Sequence, residues 1–308
     1  MADPILHIKD SYFFEVPRFL WRPQYTSLND VPPFLVKAHP HSTPAEFTDA
    51  LAGKVLIPQP FGTLKNLFEK ESGFAISRFM IIETVVAILI VWLFKNLADR
   101  VKSGEVPKGR AWHALEASLV FIRDEIAHPA IGHGYQKFVP YLWTVFFFIL
   151  VMNLFGMIPW IGAATGSFAV TLTLGAMTFL VGMYFGTKKF GVAGFWLNMW
   201  PHLGLPWYAF PLSLMIFLIE LIGVMIKHAI LGVRLLANMV AGHLVLVAIL
   251  GMVVTAAKAG TGVFLTASFL SVLGAAALSV LELGVAFLQA YVFTFLSALF
   301  ISAATHQH

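Results

Sequence analysis

Five apolar stretches, set among polar segments of very different character, organise this chain. Residues 1–77 hold prolines (Pro4, Pro17, Pro23, Pro32, Pro33) and scattered charges. No run there is long enough to cross a hydrocarbon layer about 30 Å thick, so the pattern predicts short helices and loops outside the membrane. A first span is predicted over about 79–96, ending in Lys95 with Arg100 and Lys102 just beyond. Glu83, in its first turns, reads as a carboxylate wetted near the interface. Residues 103–134 are polar, yet Trp112, Leu115, Leu119, Ile122 and Ile126 recur at helical spacing. That pattern predicts an amphipathic helix lying on the membrane surface, ended by Pro129, Gly132 and Gly134. Second and third spans are predicted at about 138–158, closed by Pro159, and about 167–185, with Gly175 and Gly182 available for close packing.

The last third has a different rhythm. From about 206 to 254 the chain is apolar with only isolated glycines, and a second such run covers about 263–303. A helix over the first would measure about 73 Å at 1.5 Å per residue, more than twice the hydrocarbon core. The run is either two helices without an evident loop or one helix far from the normal. With the Gly/Ala turn at 257–262 between them, the two runs predict a steeply tilted hairpin. The fold class expected is therefore an all-α integral membrane protein: about five membrane helices plus an amphipathic surface helix, the last two long and paired.

Composition agrees. The chain is 58% hydrophobic and 12% charged, with mean hydropathy +0.80, where soluble domains carry about 25% charged residues. The pI of 9.2 follows from basic loops on one membrane side, and nucleic acid is not an expected partner. The absence of cysteine excludes disulfides and thiolate chemistry. His39 and His41 form a pair without the further ligands zinc needs, so they read as surface, and no metal or cofactor is expected. Lys and Arg concentrate after spans one and three, while the 159–166 link has none. The positive-inside rule puts the former segments in the cytoplasm and residues 1–77 outside. The expected domains are thus 1–77, extramembrane, and 78–308, membrane-embedded.

Polar residues in the first long run carry the chemistry. Glu220, Lys227 and Arg234 are spaced by seven, drift only about 20° per step and share a helix face. Asn238 stays near that face, and His243 is about half a turn away. Glu282 and Gln289 share a face on the second run, and hairpin pairing brings His243 and Glu282 to similar depth. A charge at bilayer depth costs about 2.5–3.5 kcal/mol on insertion scales, which makes it a functional-site hypothesis. Glu and His hold and release protons. Arg234 stays protonated and has no charged neighbour within six positions. A line of such groups reads as a proton path with a fixed barrier, and the carboxylate that Arg234 lacks on its own stripe is expected from another subunit.

The motifs LGVRLLANMVAGH, FFFILVMNLFGMIPW, LELGVAFLQAYVFTFLSALFIS and LFKNLADRVKSGEVPKGR resemble, respectively, the arginine signature, the N-L-x-G-x-x-P segment, the C-terminal helix and the first linker of subunit a of the F-type ATP synthases. The resemblance covers roughly 82–303. It implies a non-catalytic stator subunit in a bacterial inner membrane, with the N-terminus periplasmic and the C-terminus cytoplasmic. The implied partners are the c-subunit ring, b-type peripheral stalk subunits, the rest of the ATP synthase and the lipid bilayer. It implies two offset proton half-channels with Arg234 between them: Asn238, His243, Glu282 and Gln289 on the periplasmic inlet, Glu220 and Lys227 on the exit. Many members carry Glu where this chain has His243 and His where it has Glu282, so acid and imidazole are exchanged. Many also have proline after the stripe lysine, where this chain has His228, and small hydroxyl residues where it has Ile226 and Ile230.

Two rival readings are weaker. A secondary transporter with an intramembrane charged site predicts internal repeats and Gly/Pro-broken helices in both halves, which are not seen. An intramembrane hydrolase needs a His-Glu-x-x-His or Gly-x-Ser-x-Gly motif, and no phosphate loop is present either.

Overall fold

The computed structural model describes residues 9–102, 109–158, 160–200 and 210–305. Pro159, the 103–108 part of the expected surface segment and the expected start of the first long helix at 206–209 lie outside the described residues.

Among the described residues five helices are long and apolar enough to cross a membrane: α3 (Arg78–Lys102), α6 (Val139–Gly156), α7 (Phe168–Met199), α8 (Phe210–Ala256) and α9 (Thr261–Thr305). The ambiguity over the first long run resolves as one continuous helix of 47 residues, and the second run forms one of 45. Their apolar side chains are largely uncovered: Val272 is 67% and Val280 71% exposed. A helix hydrophobic all round and uncovered by its own chain needs lipid or a partner around it. α7 runs past the expected 185, and its helical path breaks at Gly191 (φ 73°), a conformation glycine adopts without Cβ strain.

The membrane part is all-α as expected, but residues 9–77 are not only helices and loops. Besides α1 (Pro33–Ala38) and α2 (Pro44–Ala50) they form four short strands, one before α1 and three between α2 and α3. β1 (Phe13–Glu15) pairs antiparallel with β2 (Lys54–Leu56), Phe13 opposite Leu56. β3 (Gly62–Asn66) and β4 (Glu69–Gly73) form a bulged hairpin. Strands of three residues are too short to display an alternating pattern, and GTLKN and EKESG are poor in the β-branched and aromatic residues that mark strands. The segment's own core is Val31, Leu35, Phe47 and Leu51.

The chain divides into two compact units, residues 1–89, 151–167 and 239–282, and residues 90–150, 168–238 and 283–308. In the first, the strands are tied to the start of α3. The Arg78 N–H donates to the Ser11 carbonyl at 2.8 Å and the Arg78 guanidinium donates to the Lys9 carbonyl at 3.2 Å. Gly162 (φ 88°) lies directly on that guanidinium, where a Cβ would come within 2.8 Å of Cζ. The turn-proximal parts of α8 and α9 pair antiparallel: Ser271 Oγ donates to the Ile249 carbonyl at 3.1 Å.

In the second unit, the surface segment forms α4 (Arg110–Phe121), a π-helical stretch over Ile122–Ala127 and α5 (His128–Ile131), with Gly132 at φ 71° ending it. Ile122 and Ile126 are buried, whereas Arg123 and Asp124 pair on the exposed side at 2.7 Å, as an amphipathic segment requires. Trp143 of α6 donates to the Leu119 carbonyl at 2.9 Å. A buried hydroxyl chain links α6, α7 and α9. Thr178 donates to the Leu174 carbonyl at 3.2 Å, so it accepts from Tyr141 at 3.2 Å and lies 3.4 Å from Ser297. Lys189 donates to the Thr305 carbonyl at the end of α9 at 2.6 Å, where a cation favours the negative helix end.

Candidate functional site

The middle of α8 has two faces, and the sequence dictates both. His228, Leu231, Gly232 and Leu235 are buried because two glycines let the backbones of α7 and α8 meet. A Cβ on Gly175 would stand 2.5 Å from the His228 carbonyl, and one on Gly232 would overlap the Thr171 carbonyl. Small residues at a membrane helix crossing permit this close packing. The opposite stripe, Lys227, Ile230, Arg234 and Ala237, follows at i, i+3 and i+4 spacing; all of it is exposed except half-buried Arg234.

Arg234 stands on that open stripe. Its Nε and Nη2 are enclosed and have no protein hydrogen-bond partner among the described residues, and no salt bridge there involves Arg234, Glu220 or Lys227. One turn on, Asn238 Nδ2 donates to Gln289 Oε1 of α9 at 2.8 Å. Gln289 is buried and its own amide nitrogen has no partner among the described residues. Asn238 and Gln289 were both predicted, and they meet across the hairpin.

In the first unit, His243 and Glu282 lie on facing parts of α8 and α9. The Glu282 carboxyl rests on the backbone of Gly242, where an added Cβ would be 3.0 Å from Cδ. His243 donates from Nδ1 to the Met239 carbonyl at 3.2 Å, so its Nε2 is the atom left for exchange. The imidazole is within electrostatic range of the Glu282 carboxyl. No hydrogen bond or ion pair joins them among the described residues, and Glu282 Oε1 is buried without a partner. Asn153, in the N-L-x-G-x-x-P segment, is buried on α6 in the same unit.

In the second unit, Glu220 and Lys227 line a cavity of about 130 Å³. His228 lines it too, a position that sequence reasoning singled out only as a departure from a family pattern. Its neighbour Lys227 and the seven-residue spacing hid it, since His228 falls off the polar stripe. Ile226 and Ile230 are 50% and 57% exposed and do not line the cavity. Among the described residues no cluster of His, Asp and Glu suits a metal ion.

A family model described as ATP synthase A chain matches residues 79–302. The chain is 40% identical over 252 residues to ATP synthase subunit a 2 of Chlorobaculum tepidum, covering 80% of this chain and 68% of that one. It is 39% identical over 254 residues to ATP synthase subunit a of Chloroherpeton thalassium, covering 80% and 72%. To ATP synthase subunit a of Myxococcus xanthus it is 38% identical over 228 residues, covering 73% and 70%.

Proposed function

The chain belongs to the ATP synthase A chain family, and on that premise we propose that it is the stator whose two offset half-channels load and unload protons on a rotor carboxylate, with Arg234 between them. As a family member it is a non-catalytic, multi-pass membrane channel subunit of an ATP synthase. The finer reading is carried by one observation: a half-buried guanidinium on an open stripe of a membrane helix, with no ion-pair partner among its own described residues. Such a charge calls for a carboxylate from outside the chain. The partner of fitting chemistry is the ring of c subunits, with b-type stalk subunits holding the stator in place.

The residues act in sequence. On the inlet, protons pass His243 and Glu282, both able to bind and release them, and then Asn238 and Gln289, whose amides orient water and the approaching carboxyl group. A neutral carboxylic acid leaves Arg234 easily, because nothing but hydrogen bonding holds it. On returning from the exit side, the same group meets a fixed positive charge that favours its ionised form. The released proton leaves past Lys227 and Glu220. Arg234 cannot release its own proton in this cycle, so no proton crosses directly between the two paths. Residues 1–77 form the extramembrane domain on the periplasmic side and 78–308 the membrane domain of a bacterial inner membrane protein, with the C-terminus cytoplasmic. The basic residues after α3 and on α7 support this orientation.

Crosslinking tests the partner. The chain has no native cysteine, so Ile230→Cys or Ala237→Cys introduces one thiol on the Arg234 stripe. Oxidation in membranes should join it to a single cysteine placed beside the rotor carboxylate. A crosslink from Leu231→Cys on the buried face instead would show that the wrong face has been assigned to the rotor.

A further inference from the structure

The cavity that holds Glu220 and Lys227 has a third titratable wall. His228 is buried, its Nδ1–H donates to the Val224 carbonyl at 2.8 Å, and its ring lies on Phe300 with centroids 4.3 Å apart and edge-on to Phe179 at 5.3 Å. With Nδ1 committed as a donor, the neutral ring keeps its lone pair on Nε2. Among the described residues the titratable groups lining the cavity are Glu220, Lys227 and His228, all from α8; α7 contributes Phe179, Met183 and Phe195 among others, α9 Phe300 and two alanines, and neither adds a titratable side chain there. A water needs about 10–15 Å³ of such volume, so the space of about 130 Å³ admits several.

We propose that His228 is a proton-carrying station of the exit path, an inference that rests on the stator reading above. A cavity water that has taken up the proton released by the rotor acid passes it to Nε2, leaving a neutral water and an imidazolium. The same Nε2 proton then passes to another water or to the Glu220 carboxylate, restoring the neutral ring. Nδ1–H stays on Val224 throughout, so protons enter and leave through one atom, and the aromatic clamp holds that atom in place. The station works only while the ring is neutral on arrival of each proton. Acidifying the exit face through the imidazole range therefore stalls it.

The test uses inverted vesicles, whose outer face is the exit side, containing the whole complex with wild-type chain or His228→Gln. ATP synthesis at matched driving force is read from about pH 5.5 to about pH 8.5 outside, across the ordinary imidazole pKa of about 6.5. Taking the ratio of variant to wild type cancels the pH response of the rest of the enzyme. His228→Gln should be about tenfold slower at the alkaline end, less than the roughly 10²- to 10⁴-fold of a removed general base because water still bridges the cavity. The ratio should climb toward one at the acid end, where the wild-type ring stays protonated. A flat ratio overturns the proposal: near one His228 carries nothing, and uniformly low its role is packing. If His228→Gln does not assemble, His228→Cys decides. A membrane-impermeant thiol reagent should label it in inverted vesicles, and labelling no faster than at buried Leu231→Cys overturns the proposal. Arg234→Ala run in parallel separates the two readings. If that variant still pumps, the stator reading fails; if it does not and the His228 ratio is flat, only this inference fails.

Discussion

Gly242→Ala separates a site contact from a packing contact. The new methyl would overlap Glu282 Oε1 and stand 3.0 Å from Cδ and 3.2 Å from Cγ. These atoms end a flexible side chain, so the carboxyl swings aside rather than the helices parting. Pushing a side chain about 30° off its rotamer costs about 0.5–1.5 kcal/mol. Alanine in place of glycine in a helix interior returns about 0.8–1.0 kcal/mol. Assembly of the complex should therefore be unchanged within about 1 kcal/mol. Function should not be: misplacing a reacting group by about 1 Å can cost about 10²-fold, and the carboxyl of Glu282, proposed for the inlet, moves by that order. ATP-driven acidification of inverted vesicles should fall about tenfold or more, with the recovered amount of complex equal to wild type. Gly251→Ala is the control, since no atom of the described residues lies within 4 Å of a Cβ on Gly251, and it should pump normally. Glu282→Asp, one methylene shorter, should restore part of the loss when combined with Gly242→Ala. Equal pumping by Gly242→Ala and Gly251→Ala, or no recovery with Glu282→Asp, would refute the reasoning.

Gln289→Leu removes the acceptor of Asn238 Nδ2 and leaves that donor unsatisfied, at about 1–3 kcal/mol. Heat treatment of the complex should release this chain at lower temperature, and adding Asn238→Leu should recover stability while pumping stays impaired. Asp30 is held below the ordinary carboxylate range by hydrogen bonds from the Ser27 hydroxyl, the Ser27 N–H and the Thr26 hydroxyl. A depressed carboxylate stabilises above its unfolded pKa and loses that contribution as pH falls through its folded value. Limited proteolysis of residues 9–77 should thus speed up on acidification in wild type, and Asp30→Ala should be cut faster at neutral pH with a weaker acid response.

The membrane architecture was legible because bilayer physics leaves few choices: runs of the right length become helices, and two runs of twice that length become one hairpin. Where α8 ends and α9 begins could be read from the Gly/Ala turn. Arg234, Asn238 and Gln289 were readable because a polar group in an apolar run stands out. The short strands β1–β4 were not, as pairings of three to five residues are set by tertiary contacts with no periodic trace. The continuation of α7 to Gly191 was hidden by Lys188 and Lys189, which read as a loop but are helical; Lys189 reaches back to the end of α9. His228 was noticed only as a substitution for proline. Its meaning depends on Gly175 and Gly232, which bring the helices close enough to bury one face of α8 and enclose the cavity.

The central claim is that a fixed positive charge at Arg234 separates two proton paths. ATP-driven acidification of inverted vesicles with Arg234→Ala tests it most directly, with assembly checked by co-purification of the complex. The account predicts that pumping is abolished while the complex is recovered intact. Normal pumping by that variant would contradict it and make the arginine a packing residue.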